Sequence, residues 1–446
     1  MSSSGPFGGG TPSEGGPFED LMRNLARLLT SQGPVNWEIA RQMAQWAATG
    51  GQSEQNPDPV ARVRIEELLR VAELHVAEAT GLPVSSGGLL TARSVTPREW
   101  ALRTLDDWKP LFEKLASTMN SSLALGAADE DEPGGGAGGL GAGETGAGGT
   151  GTGTGGTGTG AGGTGAGDTG AGGFDPMAQL FGNLPQVLGP FLFGMQAGSM
   201  VGQLAFRAMG QYDLPMPRPP RDELVIVPAS IDAFASDWSL APDDVRLWVC
   251  LRETTNNAVF GRAHVRARLD RLIADYVEAF EPNTQSLEAR LSDFDPTDLN
   301  SLQAAFGDPE TLLGELQNDA QRRLQVPLRA LLAAVVGYVD HIMDLVGRRL
   351  IGSYGPLTEA LRRRRLEETG GTRILGQLFG VALDEASYER GQAFIRGIVE
   401  RAGDEGLARL WHSGRELPTS AELDAPGLWL ARIDLPDLPD PPDPLH

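Results

Sequence analysis

Apolar residues recur at helical spacing through most of this chain, and the exceptions mark its boundaries. Phe18, Leu21, Met22, Leu25, Leu28 and Leu29 share one face of a predicted helix that stops near Gly33 and Pro34. Asn36 to Ala48 repeats the pattern, and a longer helix is predicted from about Val60 to Ala79, ahead of Gly81 and Pro83. Thr96-Pro97 has the form of a cap followed by Pro in the first turn, opening a helix that carries Trp100, Leu102, Leu105 and Trp108. These elements make a small helical region over residues 18–126. Residues 1–17, rich in Gly, Ser and Pro, lack the apolar content to pack.

The pattern disappears between Ala127 and Gly173, where Gly, Thr and Ala alternate. Such a segment has little side chain to bury and much backbone entropy to lose, so a flexible linker is predicted. No strand, following helix or P-loop lysine accompanies its glycines, which excludes a phosphate-cradling loop.

From Leu184 to Ala205 the chain carries no charge. The length suits a membrane span, but internal Pro and Gln residues and the lack of a positive flank favour a buried helix. Gly194, Gly198 and Gly202 lie at four-residue steps, so that helix offers another backbone a close approach. Leu224 to Val227 is apolar and rich in β-branched residues, and reads as a strand. Helices are then predicted over Ser230 to Trp238, from Asp243 to Phe260, and over His264 to Phe280. Further ones are expected over Leu299 to Phe306, Thr311 to Leu324, from after Pro327 to Val346, over Arg373 to Phe379 and over Tyr388 to Ala402. Arg362 to Arg365 reads as a solvated basic face. Residues 436–446 are a Pro- and Asp-rich tail.

Charge narrows the function. A net charge of -22 repels phosphate backbones and argues against nucleic-acid binding. The single cysteine, Cys250, has no disulfide partner, and the first residues lack a signal-peptide pattern, so a cytoplasmic protein without a stable membrane span is expected. Cys250 sits in an apolar helix with no neighbouring His, a poor setting for a nucleophile. His75 reads as an ordinary helix residue. Asp340 and Asp344 share a helix face beside His341, and capping or ion pairing explains them better than a site for a hard cation.

The candidate chemistry lies in Leu247 to Phe260. Arg252, Glu253 and Asn256 interrupt an apolar helix, and buried polar groups must find partners or serve a function. Their spacing is that of H-E-x-x-H, with Arg252 and Asn256 at the two ligand positions and Glu253 at the position of the general base. A guanidinium cannot ligate Zn²⁺, and a neutral carboxamide is a poor substitute for imidazole.

This segment resembles the metal-binding helix of an actinobacterial zincin-like family, labelled zinc-dependent metalloprotease or hydrolase. Gly210-Gln211-Tyr212-Asp213-Leu214-Pro215, Glu223 to Pro228, Asp340 to Asp344 and Leu417-Pro418-Thr419 match its pattern as well. The resemblance implies a mainly α, zincin-like domain over residues 174–435 with a short strand or two, behind the helical region. It also implies a third zinc ligand in a Glu-Gly-His type stretch, whose positions here are Val336, Gly337 and Tyr338, with Val336 where the carboxylate would be. Two functions are carried forward. One is a pseudoenzyme with no metal or other cofactor that binds a protein or peptide in the former cleft, with the Arg252 cation standing in for zinc. The other is an active zinc-dependent peptidase or hydrolase using Glu253 as general base.

Overall fold

The computed structural model of the chain describes residues 33–129, 184–280, 318–366 and 370–436. The helix predicted from Phe18, the Gly-rich stretch beyond residue 129, the helix predicted over Leu299 to Phe306, most of the tail, and the first part of the helix predicted from Thr311 lie outside the described residues.

The architecture is mainly helical. In chain order the elements are α1 (Trp37–Thr49), α2 (Pro59–Thr80), β1 (Thr91–Ser94), α3 (Pro97–Asp129), α4 (Leu184–Arg207), β2 (Glu223–Ile226), α5 (Pro228–Asp237), α6 (Pro242–Phe260) and α7 (Ala263–Glu278). There follow α8 (Asp319–Leu350), α9 (Tyr354–Leu366), α10 (Gly370–Leu378), α11 (Glu385–Ala408), α12 (Ser420–Asp424) and α13 (Pro426–Asp434).

The glycine triplet sets the closest helix pair. A β-carbon on Gly194, Gly198 or Gly202 of α4 would lie 2.3, 2.2 or 2.6 Å from the carbonyl oxygens of Asn36, Ala40 and Ala44, so only hydrogen permits this approach to α1. Gly337 of α8 and Gly391 of α11 make a second contact of this kind, with the Gly391 position 2.0 Å from the Ala333 carbonyl oxygen. Residues of α1 to α3 and of the later helices bury their side chains in one shared core.

The strand predicted near Leu224 is present and pairs in parallel with β1, Thr91 opposite Glu223 and Ser94 opposite Ile226. Nothing in the polar tetrapeptide of β1 signals a strand; its pairing with an apolar neighbour imposes one. Two further differences from the sequence pattern have physical causes. Helix α8 continues through Pro327 instead of beginning after it. Proline costs a helix interior about 3 kcal/mol, and a cap from Asn318 to the Gln321 N–H at 2.8 Å together with the buried Leu328 to Val335 segment offsets that. Helices α9, α12 and α13 are not evident in the sequence pattern, being short or, in α9, dominated by charge.

Helix α8 is long and apolar enough to cross a membrane, and 72% of its most apolar window is buried inside the structure.

Candidate functional site

Helix α6 starts as its sequence suggests, with Pro242 in the first turn and Asp243 and Asp244 beside the exposed N–H groups. Nearly every residue from Leu247 to Phe260 is then buried. The three polar interruptions all find partners, and most of them come from the loop that follows α4.

That loop is fixed from three sides. Gly210 forms an antiparallel bridge to Ile226, and the Val227 N–H donates to the Met209 carbonyl at 2.9 Å. The Trp100 indole donates to the Gly210 carbonyl at 2.9 Å, and the Val225 N–H donates to Gln211 Oε1 at 3.1 Å. Arg218 braces the same loop from below. Its Nε donates to the Gln211 carbonyl at 2.8 Å, its Nη1 pairs with Asp107 at 3.0 Å, and the guanidinium lies against both Trp100 and Trp108. A β-carbon on Gly210 would stand 2.4 Å from Glu253 Cδ, so the loop lies directly on the Glu253 carboxylate.

Glu253 has no solvent exposure. Its Oε2 accepts the Tyr212 backbone N–H at 2.8 Å, and Arg252 Nη1 lies 3.2 Å from its Oε1. Burial raises the carboxyl pKa from 4.5 to about 7, outweighing the downward pull of Arg252, with the nearby Asp213 charge adding to the rise. Such a group is poised near neutrality, but both of its oxygens are engaged.

Arg252 is held in a fork rather than reaching into solvent, with its side chain 19% exposed. Nη1 pairs with Asp213 at 2.9 Å, and Nη2 donates to the Tyr212 carbonyl at 3.0 Å. The guanidinium also lies 5.7 Å from the centre of the Trp248 ring. Asp213 completes the arrangement by accepting the Met209 N–H at 2.7 Å. Asn256 turns its amide back on the helix, donating to the Arg252 carbonyl at 2.9 Å. Next to it, Asn257 accepts the Tyr212 hydroxyl at 3.0 Å and donates to the Val84 carbonyl at 2.9 Å.

Arg252, Asn256 and Val336 line one cavity of about 180 Å³ between α4, α6, α8 and α9. The helices thus bring together the three positions singled out by the motif and the resemblance. Glu253 lies behind this wall, absent from its lining. Arg207, Arg364 and Arg365 face the same cavity, with Asp213, Asp340 and Tyr388.

The basic run is therefore only partly a solvated face. Arg362 and Arg363 are exposed and pair with Glu359, whereas Arg364 is half-buried over the Phe234 ring and donates to the Arg207 carbonyl. Helical phase separates the four: a residue two positions along a helix points elsewhere. Asp213 and Arg364 are the site residues that sequence reasoning missed as such, although Asp213 stands in the Gly210 to Pro215 stretch.

The other candidates have structural roles. Asp340 binds Arg365 through both oxygens at 3.2 Å, and Asp344 accepts the Tyr354 hydroxyl at 2.7 Å. His75 lies 3.5 Å from Glu78. Cys250 is fully buried, which pushes its thiol pKa up to about 12 and leaves it an inert core residue.

With this geometry in place, comparison with known proteins gives a consistent picture. The zincin-like metallopeptidase family profile matches residues 35–430, and the chain belongs to that family. No curated protein matches it. A crystal structure from Chloroflexus aurantiacus, described as a "putative hydrolase with a novel fold", is similar over 90% of this chain and 100% of its own, with 20% identity and a TM-score of 0.56. At that identity the likeness establishes the shared fold.

Proposed function

We propose that this member of the zincin-like family works without a metal and holds a peptide or protein segment in the cavity lined by Arg252, Asn256 and Val336. The observation that carries the reading is the ion pair of Arg252 with Asp213 at the motif's first ligand position. A catalytic zinc needs three deprotonated donors and an open position for water. Here the corresponding side chains are a guanidinium held in place by a carboxylate, a carboxamide turned onto its own helix, and an isopropyl group. That donor set does not fit zinc. Among the described residues, no three His, Cys, Asp or Glu side chains are grouped to hold an ion.

The Arg252 cation sits beside Glu253 where the family pattern calls for a metal, so it offsets part of the buried carboxylate charge. The cavity beside it remains, its wall divided between apolar side chains such as Leu204, Val336 and Val339 and charged ones such as Arg252, Asp213 and Asp340.

A second reading, an active zinc-dependent hydrolase, draws support from the Glu253 pKa of about 7, which suits a general base. It requires that carboxylate to reach a water molecule. Glu253 is instead sealed behind Arg252 with both oxygens engaged.

Selection of phage-displayed random peptides on the purified chain tests the binding role. Sequences enriched on the wild type and lost on Val336→Trp, which fills the cavity, are the expected result. Cleavage of bound peptides by the zinc-supplemented chain would instead establish the hydrolase.

A further inference from the structure

We infer that this chain pairs with a second copy of itself through helix α2, packed antiparallel about a two-fold axis at Glu67. The inference is independent of the cavity and of what the cavity holds.

The observation is an apolar stripe that faces water. The inner face of α2 is accounted for, with Ile65, Leu69, Ala72 and Val76 buried in the core. On the opposite face Val60, Val63, Val71 and Leu74 are exposed, the end residues Val60 and Leu74 at 75% and 66%. With Glu67 in the middle, their steps are three, four, four and three residues, which aligns all five along one line of the helix. This is the spacing by which one helix seats against another.

The order of those steps identifies the occupant. It reads the same from either end, so turning the stripe about Glu67 lays it on itself, with Val60 opposite the partner's Leu74 and Val63 opposite the partner's Val71. A two-fold interface requires a patch that is complementary to itself in this sense. Charge does not oppose the contact, although each chain carries -22 overall. Along α2, Arg62 stands 4.0 Å from Glu66, Arg64 2.9 Å from Glu67 and Arg70 3.3 Å from Glu73, so these charges are balanced within the helix itself. Each Glu67 thus brings its own Arg64 to the axis. As the polar interruption of the stripe, Glu67 fixes the register at a cost in affinity.

Sedimentation equilibrium of the full-length chain, up to about 200 µM, tests this. A dimer with a dissociation constant on the order of 10–100 µM is expected, the scale of a small interface. Leu74→Glu sets a charge opposite Val60 twice over by symmetry, and should weaken the dimer at least about tenfold without lowering the melting temperature. Glu67→Leu should tighten it at least about tenfold. Cysteines read the register. Glu67→Cys should form a disulfide between chains on oxidation, whereas Val60→Cys, whose two copies would stand about 21 Å apart, should not. The native Cys250 is buried and does not compete. A chain that is monomeric throughout this range, or a dimer undiminished by Leu74→Glu, overturns the inference. Disulfides in both cysteine variants overturn the antiparallel arrangement. Shielding of Leu74→Cys from a maleimide in a monomeric chain overturns the inference too, and assigns the stripe to another segment of the same chain.

Discussion

Arg252 reaches across from helix α6 to Asp213 in the loop after α4, 2.9 Å away and 39 residues back along the chain. The contact ties the loop to the helix at the place where the family motif puts its first zinc ligand. Replacing Arg252 with Met removes the cation beside the buried Glu253 carboxylate, while Asp213 keeps Arg364 3.9 Å away. Unpaired buried charge costs about 3–5 kcal/mol, and the 19% exposure of Arg252 reduces that, so a loss of about 2–3 kcal/mol is expected. Chemical denaturation measures it, and an unchanged midpoint would show that Arg252 does not hold the site together.

The buried carboxyl of Glu253 sets a pH dependence. Its pKa is 4.5 in an ordinary setting and about 7 in the fold, so between these values the folded state binds more protons than the unfolded one. Stability from this group is therefore full below about pH 4.5, falls as the pH rises towards 7, and is flat above it. The integrated loss is about 3 kcal/mol at most. Glu253→Gln copies the protonated form and should flatten this segment of the stability profile, measured by urea denaturation from pH 5 to pH 8 (about the range in which the protein titrates this group). A slope that persists in the variant would assign it to other groups.

The glycine contacts make a prediction about the scaffold. Gly198→Ala places a methyl 2.2 Å from the Ala40 carbonyl oxygen, so α1 and α4 must part. A loss of about 2–3 kcal/mol or more is expected from overpacking of this kind. Gly355→Ala is the control, because a β-carbon there meets nothing within 4 Å. A melting temperature shift shared equally by the two variants would contradict the close-approach account.

How much of this was legible in the sequence follows from the range of the interactions. Helix α6 and the spacing of Arg252, Glu253 and Asn256 are local, as is the glycine triplet, and each reads directly from periodicity. The partner of Arg252 is not local: Asp213 reaches it only because β2 and Trp100 fix the intervening loop. Strand β1 is likewise a product of pairing, since Thr91 to Ser94 carry no strand signal of their own. The run from Arg362 to Arg365 misleads for a different reason. Composition describes the run as a whole, whereas the helix turns Arg364 towards the cavity and Arg362 towards solvent.

The central claim is that the side chains of the motif hold an ion pair where a metal is expected. Titration of the purified, chelator-stripped chain with Zn²⁺, followed by metal analysis of the desalted protein, tests it most directly. The expected result is zinc far below one ion per chain, with no peptide hydrolysis and an unchanged melting temperature. One tightly held zinc ion per chain, together with peptide hydrolysis that is lost in Glu253→Gln, would contradict it.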